Sequence, residues 1–333
     1  MYTALGTVRL KSGEQVEAGV VLGPDPEWAE RVEQLLGHKG PIWQWGNSAA
    51  VRRELGIEAR YYLLHRQGTP LANISTFTHR GVGHFGHVWT RPEDRRQGAA
   101  SQLMGLQMAH FRQTGGQALF LGTGYDSAPY HIYASHGFVG LEPKSGNMEF
   151  YTGAKAAFEV EFFAKGVVHE DEVRWRHWPA SGPLFLGDYP GVVRCAPLKL
   201  LGRKSTEGPF LDLIEAEEQR RERGEARRAR VLCQTASQAV VALAYWDWDP
   251  LWASTCVVDV YSHPEFWEDS LELLPSLSLP AAERYVAYCD PDCPAKEHAL
   301  ALAGFKNTAT FARRVAADRA RTRLVDVQVW ERA

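Results

Sequence analysis

The chain has 333 residues, of which 45% are hydrophobic and 23% charged, with a formal net charge of −3 and five cysteines. This length predicts two domains, and the composition is typical of a globular protein. The charge excludes a general attraction to nucleic acid or anionic membranes, the apolar runs are too short to span a bilayer, and five unevenly spaced cysteines do not make a disulfide framework.

The first residues lack the basic and apolar regions of a signal peptide, and the cysteine usage fits a reducing compartment, so we expect a cytoplasmic protein. Cys289 and Cys293 are the only close pair of cysteines. A structural zinc site usually takes four ligands from two such pairs. The sequence therefore predicts no metal site, and we expect neither a nucleic-acid nor a membrane partner.

The first half of the chain alternates between predicted strands and helices. Polar and apolar residues alternate around residues 11–14, which predicts a hairpin, and Asp25-Pro26-Glu27 predicts the start of a helix that Gly37 ends. Further strands are predicted at 60–66, 71–78, 85–90, 118–121 and from Phe138, with helices at 99–113 and 127–135. This order predicts a layered α/β domain whose central strands meet at a helix N-terminus.

The second half repeats this order after a connector and a first strand within 154–183. A mixed-charge helix face is predicted over 215–230, and a solvated helix is favoured there over a nucleic-acid patch. Strands at 240–245, 256–261 and 285–288 and helices at 268–274 and 295–303 follow. We predict two similar domains, 1–153 and 154–333, each a mixed, mostly antiparallel twisted sheet flanked by helices.

The stretch "VWTRPEDRRQGAASQLM", residues 88–104, joins a strand to a helix through a charged turn. The first N–H groups of a helix have no internal partner and lie at the positive end of its dipole. Small residues after Gly98 let an anion approach these groups, and Arg95 and Arg96 add positive charge. The turn therefore predicts a phosphate site, although the same residues also suit an ordinary strand-turn-helix corner.

Two motifs carry a resemblance to a known family. Residues 95–100, Arg-Arg-Gln-Gly-Ala-Ala, fit the pattern Gln/Arg-x-x-Gly-x-Gly/Ala of the GNAT acetyltransferase superfamily. Further on, Tyr133, Gly137 and Phe138 match the family's second motif, while Asp126 stands where the family usually has Asn. The chain resembles this family from about residue 20 to residue 152, and the second half resembles a degenerate copy of the same domain.

The resemblance implies that acetyl-coenzyme A is the cosubstrate and that the protein is an N-acetyltransferase. The main chain of Val88 and Thr90 would hold the pantetheine arm. The implied residues around the pyrophosphate are Arg95, Arg96, Gln97, Gly98, Ala99, Ala100 and Ser101, with Asp126 as a further cofactor contact. The acceptor would be a primary amine of a small molecule or a peptide, and the protein a monomer or homodimer.

Acetyl transfer to an amine requires two proton movements. An alkyl ammonium has a pKa of about 10.4, so the enzyme needs a base, while the leaving thiolate needs an acid. Tyr133 is the predicted acid by motif position and chemistry. His87 is the predicted base because it lies closest to the expected thioester; His84, three residues away in a strand, faces the other side unless a bulge intervenes. His79, His136 and Glu93 remain alternatives for the base.

The acceptor wall and the second half complete the expectations. Trp43 and Trp45 lie beside a predicted Gly-Pro turn in "HKGPIWQWG" and suit either a wall for a cationic amine or a plain core. In the second half, acidic residues after His263 replace the Gly cradle, and Leu300 stands opposite Tyr133. We therefore expect a noncatalytic second domain. A non-catalytic acyl-coenzyme A sensor or scaffold is the alternative function.

Overall fold

The computed structural model describes residues 1–332. The chain divides into two compact units. The first comprises Met1–Val139 with Met148–Gly153, and the second comprises Gly140–Asn147 with the chain from Ala154 onward. Among the described residues, no helix combines the length and the apolarity needed to cross a bilayer.

The first unit is built on an eight-stranded sheet in the order β1-β2-β3-β4-β5-β6-β8-β7. Its strands are β1 (Tyr2–Arg9), β2 (Gln15–Leu22), β3 (Glu58–Arg66), β4 (Thr69–His79), β5 (Val82–Thr90), β6 (Ala118–Gly122), β7 (Val139–Gly140) and β8 (Asn147–Tyr151). The first five pair antiparallel with their neighbours, whereas β5 and β6 run parallel. The predicted hairpin and strands of this half are confirmed, and the fold is mixed α/β as expected.

Four helices belong to this unit: α1 (Pro26–Leu36), α2 (Pro41–Arg52), α3 (Ala99–Gln113) and α4 (Ala128–Ser135). The start of α1 is confirmed, since the Asp25 carboxylate accepts hydrogen bonds from the N–H groups of Glu27 and Trp28. The long helix α3 buries Leu103 and Phe111 in the core beneath the sheet.

One prediction for this half was wrong. The segment read as a Gly-Pro turn starts helix α2, with Gly40 extended at the N-cap and Pro41 in the first helical position. Proline suits that position because its ring fixes a helical φ and its missing N–H would have no partner there. Trp43 and Trp45 therefore lie on a helix rather than beside a turn.

The second unit contains a seven-stranded sheet in the order β16-β17-β15-β14-β13-β12-β9, and a separate ladder of β10 and β11. The strands are β9 (Val168–Glu172), β10 (Val193–Cys195), β11 (Leu200–Leu201), β12 (Ala229–Gln234), β13 (Val240–Trp248), β14 (Thr255–Ser262), β15 (Arg284–Cys289), β16 (Lys306–Ala316) and β17 (Leu324–Arg332). Strands β9, β12, β13 and β14 pair antiparallel, and β14 then runs parallel to β15. This sequence of pairings matches that of β2 to β6.

The helices of the second unit are α5 (Lys155–Phe162), α6 (His177–Ala180), α7 (Gly182–Leu186), α8 (Glu207–Glu222) and α9 (Pro294–Leu302). The charged helix predicted over 215–230 ends earlier than expected, because Gly224 adopts a left-handed φ of 68° just beyond α8. Glycine at this position is a common helix stop, and the chain then enters β12.

The helix predicted over 268–274 is also wrong. This segment consists of successive tight turns, including 3-10 turns at Pro264–Phe266 and Glu268–Ser270. Ser270 N donates to Trp267 O, and Leu273 N donates to Ser270 O, in an i to i−3 pattern. Pro275 has no N–H group to donate to Leu271 O, which limits helical hydrogen bonding at the end of this segment.

Candidate functional site

The central sheet of the first unit opens between β5 and β6. The two strands pair only where Val82, Gly83 and His84 face Ala118, Leu119 and Phe120. Strand β5 continues to Thr90, still paired with β4 on its other side. The main chain of residues 85–90 therefore borders an opening, and this is where the pantetheine contacts of Val88 and Thr90 were predicted.

A β-bulge shapes this edge of β5. Ser75 of β4 faces Gly86, but Asn73 faces Trp89, so β5 holds one extra residue, and His87 takes a left-handed φ of 53°. The buried Asn73 amide donates to the His87 carbonyl at 2.9 Å and so braces the bulge. Bulges re-aim side chains and interrupt strand pairing.

The bulge changes which side chains share a face of the sheet. Phe85 and Val88, three residues apart, both pack into the core around α3. In a regular strand they would face opposite sides. By the same shift, His84 and His87 both lie on the opposite face of the sheet. In a regular strand these two histidines would face opposite sides, and the bulge removes this restriction.

The His87 side chain lies in an aromatic setting on the α2 side of the sheet. Its ring contacts Trp43 and Phe77 edge to face, with centroid distances of 5.3 and 5.7 Å, and Asn47 Nδ2 lies 3.5 Å from its Nδ1. Burial, with smaller effects of Lys39 and His38, lowers the pKa of His87 to about 3. The ring is therefore neutral at pH 7, but it holds a proton weakly. Its role as the base stays a prediction, and this pKa counts against it.

The predicted anion site lies at the N-terminus of α3. Gly98 is the N-cap, with a left-handed φ of 79°, and no side chain caps the helix. Ala99 is buried, whereas Ser101, at the third helical position, is exposed. The first-turn N–H groups are thus uncapped by side chains and flanked by small residues, which is the arrangement that binds phosphate groups.

Cations surround this helix end unequally. Arg96 is exposed, with a left-handed φ of 63°. Arg95 is engaged elsewhere, since its Nε donates to Thr90 O at 3.1 Å and its guanidinium lies 4.5 Å from the Trp89 ring centroid. The backbone N–H of Lys11 donates to Gln97 O at 3.1 Å.

Lys11 is a residue that sequence reasoning missed. It lies on the β1–β2 turn, and a Cβ added at Gly98 would come within 3.8 Å of the Lys11 Cε atom. Gln102 Nε2 donates to Arg9 O at 2.8 Å and ties this hairpin to α3. Nothing in the local sequence signals the approach, because it depends on the packing of a distant hairpin.

Two residues of the second motif, Asp126 and Tyr133, were predicted site residues, and they lie before α4 and in its last turn. Tyr133 is buried, 6% exposed, and its ring meets Phe85 edge to face at 5.1 Å, beside the point where β5 parts from β6. Asp126 precedes the helix, is exposed, and pairs with His131 at 2.8 Å. Tyr133 therefore borders the opening, whereas the Asp126 carboxylate has a partner of its own.

The alternative bases are scattered. His84 is buried in β5, and His79 Nδ1 lies 3.1 Å from Gly56 O. Burial, followed by the charge of Arg112, lowers the pKa of His136. Glu93 is exposed on the turn before α3.

Beside the corresponding opening of the second unit lies a segment of its own chain. Strands β14 and β15 pair only from Thr255 to Val257 of β14. Beyond that point, Val192 N and Val193 N donate to the Asp290 carboxylate at 2.8 and 2.7 Å, and Ala196 N donates to Asp259 Oδ2 at 2.7 Å. Residues 190–196, named the plug here, thus contact both strand ends.

A buried ion pair holds the plug. Lys296 Nζ of α9 lies 2.5 Å from Asp259 Oδ1 and donates to Val193 O at 2.7 Å, and both charged side chains are fully buried. Burial alone would lower the pKa of Lys296, but the Asp259 carboxylate outweighs it and raises the pKa above its ordinary value. The turns that follow β14 also offer no α-helix N-terminus in place of that of α3.

No protein-family model matches the chain, and no curated protein matches its sequence. Among solved structures, a GNAT-family acetyltransferase from Bacillus anthracis matches 49% of this chain and 93% of its own, at 9% identity and a TM-score of 0.35. The GNAT domain of S. lividans PAT matches 44% of this chain and 96% of its own, at 12% identity and a TM-score of 0.34. An N-acetyltransferase from Staphylococcus aureus matches 50% of this chain and 98% of its own, at 12% identity and a TM-score of 0.35. Each of these three matches covers about half of this chain.

Proposed function

We propose that the first unit is an acyl-coenzyme A dependent N-acyltransferase of the GNAT type, which transfers an acetyl group to a primary amine. The observation that carries the proposal is one continuous stretch of chain. The open edge of β5 leads through the turn at 91–98 to the uncapped N-terminus of α3. An extended thiol arm that ends in a diphosphate needs a strand edge and an anion site in this order.

In this proposal, the first-turn amides of α3 bind the pyrophosphate, assisted by Arg96 and Lys11. Gly98 keeps the approach free of a side chain, and its φ of 79° suits glycine far better than other residues. The main chain of Val88 and Thr90 hydrogen-bonds the pantetheine arm along the open edge of β5. Arg95 instead positions the turn through Thr90 O and Trp89.

Tyr133 is the proposed acid. The bound thioester supplies the activated acyl group, and the chain must then provide a proton to the departing sulfur. A phenol is a hydrogen-bond donor at neutral pH, and the Tyr133 ring borders the opening next to Phe85. His87, held in the bulge, is the proposed base, and it receives the proton of the amine either directly or through an ordered water that passes the proton on to the ring.

The proposed acceptor is the amine of a small molecule or a peptide. Trp43 of α2 contacts His87 edge to face and so belongs to the wall on that side of β5. Aromatic faces attract ammonium groups and also shield the neutral amine from water. The proposed domains are 1–153 for catalysis and 154–333 for a noncatalytic GNAT-like domain, whose counterpart opening is plugged.

Release of free thiol from acetyl-coenzyme A, measured with a panel of amines, tests the function. We expect amine-dependent release, reduced about 100-fold or more in kcat for Tyr133→Phe. Tyr130→Phe is the matched control, because Tyr130 lies on the same helix and is partly exposed. Binding of acetyl-coenzyme A without thiol release from any amine would support the sensor, and absence of binding would refute both functions.

A further inference from the structure

A second concave site lies entirely within the second unit. Its apolar part is a cavity of about 550 Å³ beside the β16–β17 hairpin. Three large apolar side chains that line it are unusually exposed: Leu201 at 40%, Trp252 at 49% and Phe311 at 47%. Exposed aromatic residues that converge on one cavity of this size are typical of ligand sites.

A large bulge in β16 shapes the cavity. Phe311 faces Val327 and Val315 faces Val325, so β16 has two more residues than β17 between these two facing pairs. Arg313 takes a left-handed φ of 53°, and its N–H donates to Asp326 Oδ1 at 2.9 Å. In a regular strand Arg314 would face away from Phe311 and Val315, but all three line the cavity.

Arg314 connects the apolar cavity to a basic cleft of about 670 Å³, which also shares Lys199, Leu201 and Val315 with it. The cations that line this cleft are Lys199, Arg203, Lys204, Arg314, Arg319 and Arg321. Burial, followed by the charges of Arg319 and Lys199, lowers the pKa of Lys204. Six cations thus face two carboxylates among the residues that line the cleft.

The two carboxylates of the cleft are already engaged in its framework. Asp318 accepts hydrogen bonds from Thr322 N at 2.9 Å, Thr322 Oγ1 at 2.7 Å and Arg323 N at 2.9 Å. Glu142 Oε1 accepts from Arg319 N at 3.2 Å. These acceptors shape the loop rather than neutralise Arg314 and Lys199.

We infer that the second unit binds a small amphipathic anion, with an alkyl or aryl group in the apolar cavity and a phosphate group in the adjoining basic cleft. Arg314 stands at the junction, where a planar guanidinium hydrogen-bonds a phosphate in two-pronged fashion. Glu331, which also lines the apolar cavity, lies on β17 six residues from Val325, the partner of Val315, so the cavity extends away from the cleft along the hairpin. The inference does not depend on the acyltransfer activity of the first unit.

Isothermal titration calorimetry with octyl phosphate and phenyl phosphate tests the site, in a Ser101→Glu background in which we expect anion binding at α3 to be weakened. We expect octyl or phenyl phosphate to bind at least about 30-fold more tightly than inorganic phosphate or octan-1-ol alone, because both halves of the site must be filled. The stronger of the two organic phosphates identifies an alkyl or an aryl ligand. Equal affinity for inorganic phosphate and both esters would overturn the proposal.

Two arginines of the same bulge give a matched pair. Arg314→Gln should weaken binding of the organic phosphate about 10-fold, whereas Arg313→Gln, with the same loss of charge outside both cavities, should leave it nearly unchanged. Phe311→Ser should also weaken binding. Equal effects of the two arginine variants on binding would mean unspecific electrostatic attraction. A change of sedimentation coefficient in Phe311→Ser would mean that a second copy of the chain fills the cavity. Either result overturns the proposal.

Discussion

The openings of the two sheets are formed by the same pattern of strand pairing, but within residues 1–332 a segment of the chain lies beside only one of them. In each unit, an antiparallel series of strands, five in the first unit and four in the second, leads to a parallel neighbour that pairs for only three residues, β5 with β6 and β14 with β15. In the first unit no described segment pairs with the strand edge beyond that point, whereas in the second unit the plug, residues 190–196, hydrogen-bonds the carboxylates of Asp259 and Asp290 beside it. Strand order alone therefore does not determine whether such an opening can receive a ligand.

The segments that follow β5 and β14 also differ in whether they suit an anion. β5 leads through Gly98 into the uncapped helix α3, but β14 leads through Pro264 into tight turns that carry Glu265, Glu268 and Asp269. An α-helix N-terminus attracts anions, while carboxylates on turns repel them. The comparison predicts one coenzyme A site per chain, in the first unit.

The largest expected effect tests the plug. Lys296→Met removes the cation from a fully buried ion pair and leaves the Asp259 carboxylate uncompensated, which should destabilise the second unit by about 3–5 kcal/mol. Hydrogen exchange followed by mass spectrometry should show faster exchange in peptides that cover 190–196, with little change in the first unit. The double variant with Asp259→Asn should recover part of the loss, and wild-type exchange in Lys296→Met would contradict the role of the pair.

The next effect tests the open site. Ser101→Glu places a carboxylate at the third position of α3, which suits the helix but repels a diphosphate, so coenzyme A binding should weaken about 100-fold. Calorimetry should give one site per chain in the wild type and little heat in the variant. Ser101→Gln is the neutral control of similar size. Undiminished binding in Ser101→Glu, or two sites in the wild type, would refute the assignment of the cofactor site to α3.

Acid sensitivity provides a third comparison. The pKa of His87 is about 3 and that of His263 about 4, both lowered by burial, against about 6.5 in the unfolded chain. Between these values the unfolded chain binds more protons, so stability rises with pH and is lost as the pH falls below 6.5. Each group contributes at most about 1.4 kcal/mol per pH unit.

Urea unfolding between pH 4.5 and 7.5 measures this dependence. His87→Asn should reduce the loss of unfolding free energy of the first unit at acid pH, because it removes the titrating ring. Asparagine is chosen because it tolerates the left-handed backbone at this position. His263→Asn is the matched change in the second unit. An unchanged pH slope in both variants would show that neither ring is as buried in solution as in the structure.

The smallest effect concerns Lys11. Lys11→Gln should weaken coenzyme A binding about 3- to 5-fold and reduce its salt dependence, because an exposed cation contributes modestly to anion binding. Lys306→Gln, which removes an exposed cation from the second unit, should change neither quantity. If the two variants behave alike, Lys11 has no specific part in the site.

Much of the fold follows from local patterns. The bounds of α3 match the prediction because Gly98 and the paired glycines after Gln113 mark both ends, and most strands were recognised from alternation. Three strands of the seven-stranded sheet of the second unit, β12, β16 and β17, were not predicted. Two other errors occurred where a local signal has two meanings. Gly40-Pro41 suits a turn or a helix start, and the leucine-rich run after Trp267 suits a helix or packed turns.

The sequence by itself determined the strand-turn-helix corner at Gly98 and the position of Tyr133 on its helix, because capping, small residues and periodicity act within a few residues. Only the tertiary structure decided the bulge at His87, the approach of Lys11 and the plug in the second unit. These depend on strand register and on contacts between residues far apart in the chain, and their free energies come from burial and pairing that no local pattern encodes.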